Sequence, residues 1–222
     1  RLLNKIGAYS HAADLYRKNT VPPAHPALAT EGILSLLLNN ETPLACLETK
    51  AALEKFTEDT TFQQISAFCD FHLKKETDIS ENLQKTKNDI LHQIIKNKSF
   101  RYKLNRTEDF QKLTTLENAL LLSSGRFDYS ALKLKDLKSW SPAFIALLLK
   151  DKNLPQKLKA PLMIYGVELS LITEDELKSY YEDAPEKASE TIKLYKEGQK
   201  ISRDNEKQKE WFDKIGQFIS SD

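Results

Sequence analysis

The hydrophobic positions of this chain recur at steps of three and four, the period of one face of an α-helix. Leu2, Ile6, Tyr9, Ala13 and Tyr16 keep that spacing toward Lys18. The run stops at Asn19-Thr20-Val21-Pro22-Pro23-Ala24-His25-Pro26, where prolines remove amide donors and push their predecessors out of helical backbone. A second helix is predicted from about 27 to 38. Its stretch Gly32-Ile33-Leu34-Ser35-Leu36-Leu37-Leu38 is apolar on nearly every side and reads as a buried core helix.

Thr42-Pro43 predicts a restart, with Thr capping the free amides and Pro at the first helical position. That helix runs to about Phe56 through Leu44, Leu47 and Ala51. A fourth, over 61–74, places Phe62, Ile65, Phe68, Cys69 and His72 on one side. Ser80 is expected to cap a fifth, with Leu83, Ile90, Leu91, Ile94 and Ile95 as its apolar positions. Thr107-Glu108-Asp109 opens a sixth, acidic where the helix dipole favours it, through Leu113, Leu116, Leu120 and Leu121 to Gly125. A shorter helix is predicted over 130–137.

Ser141-Pro142 repeats the cap-plus-proline start and leads into Ala143-Phe144-Ile145-Ala146-Leu147-Leu148-Leu149. Pro155 begins a further segment ending near Ser170. Thr173-Glu174-Asp175-Glu176 is a capping box, and two more helices are predicted over 185–201 and 204–219. No strand pair is predicted. Short connections force antiparallel neighbours. The expected fold is therefore all-α: antiparallel helical hairpins stacked as an α-solenoid, with an irregular helical bundle as the alternative. A single domain over 1–222 is expected, with a sub-boundary near 97–107.

The stretch Gly7-Ala8-Tyr9-Ser10-His11-Ala12-Ala13-Asp14-Leu15-Tyr16-Arg17-Lys18-Asn19 resembles the turn and second helix of a tetratricopeptide repeat. Gly7, Tyr9, Ala12 and Tyr16 fall on the pattern Gly-x-Tyr-x-x-Ala-x-x-x-Tyr/Phe. Asn19 stands where that family places a small residue, and no second copy of the Gly-x-Tyr signature follows one period later. The resemblance implies helical-hairpin architecture and recognition of a protein or peptide on a concave face. It also implies a partner helix before Arg1, so the chain is expected to start partway through a longer helical array.

Composition changes this picture little. Lys and Arg number 33 against 32 Asp and Glu, a net charge of +1, which gives no global attraction to nucleic acid or an anionic membrane. Charged residues at 29% with only 6 glycines are expected of a soluble helical protein. No apolar run approaches the roughly 20 residues of a membrane span, and the compartment is not specified. Cys46 and Cys69 are expected to behave as small hydrophobes, with a bridge between adjacent helices as the alternative in an oxidising compartment. Asn40, Asn97 and Asn105 each head a glycosylation-type triplet, a pattern that arises often by chance.

Candidate chemistry is sparse. His11, His25, His72 and His92 lack the spacing of a helical zinc site, and Cys69 with Asp70 and His72 reads as core packing rather than a metal site. No Gly-x-Ser-x-Gly and no phosphate loop occurs. The acid pairs Glu174/Glu176 and Glu182/Asp183 lie where capping explains them, leaving a helical glycoside hydrolase as the third reading. The local anomaly is 96–106, with Lys96, Lys98, Arg101, Lys103 and Arg106 interleaved with Phe100 and Tyr102 and no acid. It supports nucleic-acid or anionic-surface binding as the second reading. The first is a non-catalytic protein-interaction scaffold without cofactor or metal. Its expected partner-binding residues are Tyr9, His11 and Tyr16, then Arg101, Tyr102, Lys103 and Arg106.

Overall fold

In the computed structural model of the chain, Gly7 breaks the first predicted helix in two. The result is α1 (Leu2–Lys5) and α2 (Tyr9–Lys18). Gly7 has φ +85°, a left-handed conformation that residues with a Cβ avoid. A Cβ there would also stand 2.6 Å from the Ala146 Cβ and 3.3 Å from the Ala143 Cα. This one glycine turns the chain and admits a distant helix. The structure describes residues 2–18, 25–73, 88–104, 107–173, 175–177 and 193, which fall in two units, Arg1–Lys152 and Asn153–Asp222.

In the first unit, α3 (Pro26–Leu38) starts on its proline, and the ring nitrogen of His25 accepts the Ala27 amide at 3.2 Å. Asn40, at φ +61°, reverses the chain, and its side-chain amide donates to the Lys150 carbonyl. α4 (Thr42–Lys55) follows at once. Thr42 is not its cap: the Glu41 amide already bonds to the Leu36 carbonyl at 2.8 Å, so the turn closes early and Thr42 is helical and buried. α5 (Thr60–His72) is capped by Asp59, whose carboxylate accepts from the Thr61 and Phe62 amides at 2.9 and 3.2 Å.

Cys46 on α4 and Cys69 on α5 form a disulfide, with Cα atoms 5.6 Å apart. The expectation of two free hydrophobic cysteines is corrected here. The hairpin lays one helix along the other, and both sulfur positions fall on the shared, nearly buried seam.

α6 (Asp89–Lys96) is capped by Asn88, which accepts the Leu91 amide at 3.0 Å; the expected cap Ser80 lies outside the described residues. The single helix predicted from Thr107 is two. α7 (Thr107–Gln111) ends before a second start, where Thr114 and Glu117 exchange backbone-to-side-chain bonds of 2.8 and 3.2 Å. α8 (Thr115–Ser124) then runs to Gly125, left-handed at φ +63° as its position suggests.

A strand pair, which the periodicity did not predict, joins β1 (Tyr102–Lys103) to β2 (Phe127–Asp128) in parallel, Tyr102 opposite Phe127 and Lys103 opposite Asp128. The Tyr102 amide donates to the Arg126 carbonyl at 2.7 Å and the Leu104 amide to Asp128 at 3.0 Å. A 3-10 helix (Leu134–Ser139) takes the place of the α-helix predicted over 130–137. α9 (Pro142–Lys150) starts as expected, with Ser141 Oγ accepting the Phe144 amide at 3.3 Å.

In the second unit, α10 (Gln156–Glu168) follows Pro155. The capping box beyond it is formed by the Thr173 amide on Glu176 at 2.7 Å and the Glu176 amide on Thr173 Oγ1 at 3.1 Å. The helices predicted over 185–201 and 204–219 lie outside the described residues. The described chain is predominantly helical, and no described helix is long and apolar enough to cross a membrane.

The core of the first unit sits around α3, which packs against α2, α4 and α8. Its whole second half, Gly32 to Leu38, is buried, and buried Ser35 donates back to the Gly32 carbonyl at 2.6 Å. α8 also packs on α5 and α6. Phe144 of α9 lies between Phe110 and Trp140, each ring centroid 5.4 Å away. Asp151, 2% exposed, accepts from the Tyr129 hydroxyl through its carboxylate. Burial, and then the charge of Asp151, raise the tyrosine's proton affinity, so this donor persists at any physiological pH.

Two outcomes follow from these contacts. Cys46→Ser with Cys69→Ser, or reduction of the bridge that closes a separation of 23 residues, is expected to lower the unfolding free energy by about 3 kcal/mol; denaturant titration with and without reductant measures it. Gly7→Ala combines left-handed strain with overpacking and is expected to cost about 2 to 4 kcal/mol, read from the same titration.

Candidate functional site

α2, α3 and α4 are bound together by one side chain. A Cβ on Gly32 of α3 would meet Tyr16 Cδ2 at 2.0 Å, Cε2 at 2.2 Å and Cγ at 2.5 Å. The Tyr16 ring of α2 therefore lies directly on the α3 backbone, where any larger residue would exclude it. The ring continues past α3, and its hydroxyl donates to Glu48 Oε2 of α4 at 3.1 Å. Burial, followed by the charge and hydrogen bond of Glu48, raises the tyrosine's proton affinity. The phenol stays a neutral donor to Glu48.

This crossing fixes Tyr16, Gly32 and Glu48 at one level of the three helices. The same three helices carry exposed apolar side chains. Leu28 is one turn before Gly32 on the same face of α3, Leu15 precedes Tyr16, and Leu47 precedes Glu48. They are 65%, 58% and 64% exposed, and they are three of the five large apolar residues so exposed among the described ones. Charges border the same surface: Arg17 pairs with Asp14 and with Glu41. These pairs are solvent-exposed and order side chains more than they stabilise the fold.

The other residues expected on this hairpin separate. Tyr9 is only 2% exposed and its hydroxyl donates to the Ala143 carbonyl at 3.4 Å, so its ring belongs to the core beneath α9. His11 is exposed on α2. Its neighbour Ser10 is held from two sides, donating to Asn39 Oδ1 at 3.0 Å and accepting from Lys150 Nζ at 2.8 Å.

The basic residues form a second locality. Arg101 is exposed, and its Nη1 donates to the carbonyls of Lys98 at 3.3 Å and Phe100 at 2.8 Å. Tyr102 is half-buried, with its hydroxyl donating to the Asp109 carbonyl at 3.3 Å. Lys103 is exposed at the end of β1, and Arg106 lies outside the described residues. The β1–β2 pairing adds a residue from far along the chain. Arg126 donates through Nη1 to the same two carbonyls, Lys98 and Phe100.

Gly32, Glu48, Leu28, Leu47 and Arg126 were not among the residues singled out from the sequence. For Gly32 a signal existed, since a glycine within an otherwise apolar helix marks a close approach. Glu48 and Arg126 carried none, because their roles arise from helices and strands that meet only in the folded chain. The Cys69 sulfur expected near His72 is committed to the disulfide and offers no thiolate to a metal. Compared with protein-family models, curated proteins and solved structures, the chain matches none.

The Tyr16–Gly32 contact makes a coupled outcome. Gly32→Ala alone is expected to displace the ring and cost about 1 to 3 kcal/mol. In a Tyr16→Ala background the same change is expected to be neutral or to stabilise by up to about 1 kcal/mol through helix propensity. A double-mutant cycle by thermal or chemical unfolding measures the difference.

Proposed function

We propose that the first unit is a non-catalytic interaction module of helical hairpins that recognises a protein or peptide bearing apolar side chains. The observation that carries the reading is that Leu15, Leu28 and Leu47 are each more than half exposed on the three consecutive helices that the Tyr16–Gly32–Glu48 crossing joins. Scattered exposed leucines need no explanation, but one on each of three consecutive packed helices gives apolar area worth covering. The crossing holds these helices in fixed register, so the surface is pre-organised and a partner loses little by meeting it. The tetratricopeptide-like stretch supplies α2 of this surface, in keeping with the recognition role that the resemblance implies.

Leu28→Asp with Leu47→Asp tests the reading, because both side chains are largely exposed and the fold does not need them. Affinity capture from the native source is expected to retain a defined protein on the wild-type chain and to lose it on the double variant, with an unchanged unfolding midpoint. Retention of the same proteins by both chains overturns the assignment of this face.

A further inference from the structure

The cations of the basic segment are arranged about one point rather than spread along an extended connector. The carbonyls of Lys98 and Phe100 each accept from both Arg101 Nη1 and Arg126 Nη1. Two guanidinium groups that stand far apart in the sequence are thereby held side by side by the bend at 97–100 and the β1–β2 pair. Each uses one nitrogen for these bonds. No carboxylate within ion-pair distance is found for either among the described residues.

The nearest acid on these strands is Asp128, opposite Lys103. Its carboxylate accepts the Ser130 amide at 2.9 Å and is thereby turned to its own backbone. The Ser130 bonds come first, and Lys103 adds to them, in holding its proton affinity below the ordinary carboxylate value. Burial, and then the charge of Arg101, lower the proton affinity of Arg126. Two like charges are therefore held within electrostatic reach, with no carboxylate paired to either among the described residues.

We propose that Arg101 and Arg126 form a binding site for a phosphoryl group, with Lys103 and the exposed Lys98 at its rim. The chemistry favours phosphate over carboxylate. A guanidinium fork satisfies one carboxylate alone, whereas two forks side by side match the charge and the several acceptor oxygens of a phosphate dianion. Base stacking is not part of the site: Tyr102 is half-buried and its hydroxyl is tied to the Asp109 carbonyl. The backbone carbonyls that hold the guanidiniums pre-orient them, so the repulsion between the two arginines is already met before the ligand arrives. Binding relieves it.

The test uses the whole chain with three probes at low salt: inorganic pyrophosphate by calorimetry, vesicles of phosphatidylcholine with phosphatidic acid by co-sedimentation, and a single-stranded oligonucleotide by gel shift. Binding of pyrophosphate marks a site for free phosphoryl ligands, and binding confined to the phosphatidic-acid vesicles marks a headgroup site. Either result supports the proposal if Arg101→Gln weakens it tenfold or more while Lys50→Gln on α4 leaves it unchanged. Arg126→Lys keeps the charge but loses the fork, and is expected to weaken binding by a similar factor without altering the unfolding midpoint. Absence of binding to both phosphoryl probes, equal loss with Lys50→Gln, or binding of the oligonucleotide alone overturns it.

Discussion

A helix that is apolar all round has to be surrounded, and α3 sets that requirement for the first unit. From Gly32 to Leu38 it exposes no face to water. Adjacent helices supply two sides, α2 and α4, but a hairpin partner covers only one stripe of a helix. The remaining side is closed by α8, far along the chain, with Ser123 donating to the Leu37 carbonyl at 3.3 Å. Several other features follow from this need. Asn40 ties the turn after α3 to the end of α9, and Asn4 of α1 donates to the Glu31 carbonyl at 3.0 Å. Gly7 lets α9 approach the base of the same assembly.

The surface around Tyr16 inherits its rigidity from that arrangement. α3 cannot shift without opening its contact with α8, and Tyr16 cannot shift without leaving the groove that Gly32 provides. The exposed leucines therefore stand on a support whose geometry is decided by burial behind it. The two arginines have a different support, a short strand pair and a bend, and they depend on backbone hydrogen bonds rather than on packed side chains. The exposed leucines and the paired arginines thus rest on separate physical foundations within one unit.

Much of the helical content was legible because its signals are local. Pro26, Ser141-Pro142, Gly125 and the Thr173–Glu176 pair act within one turn of the residue that declares them. The breaks at Gly7 and at Thr114 were hidden by apolar residues that continue the helical spacing across each interruption. The β1–β2 pair was not legible for a further reason, being a meeting of two segments neither of which alone carries the information, and for the same reason the Cys46–Cys69 bridge stood in the sequence only as the alternative to two free thiols. The same limit governed the site. Tyr16 was read from the sequence as a partner-binding residue, whereas its ring lies against Gly32 inside the helix assembly, and the acceptor Glu48 and the exposed Leu28 became meaningful only once three helices stood side by side.

The parallel pairing of β1 with β2 has a consequence for how the molecule breathes. A parallel connection needs a crossover, and here α7 and α8 are that crossover. The chain that carries α7 and α8 is consequently fastened at its neck by two backbone bonds, with α8, its second half, pressed against α3. Departure of α8 from the core strains the neck, and parting of the neck loosens α8. The amides of Tyr102 and Leu104 are thus placed as reporters in hydrogen exchange: their protection tracks the sub-global opening of the helix that completes the core.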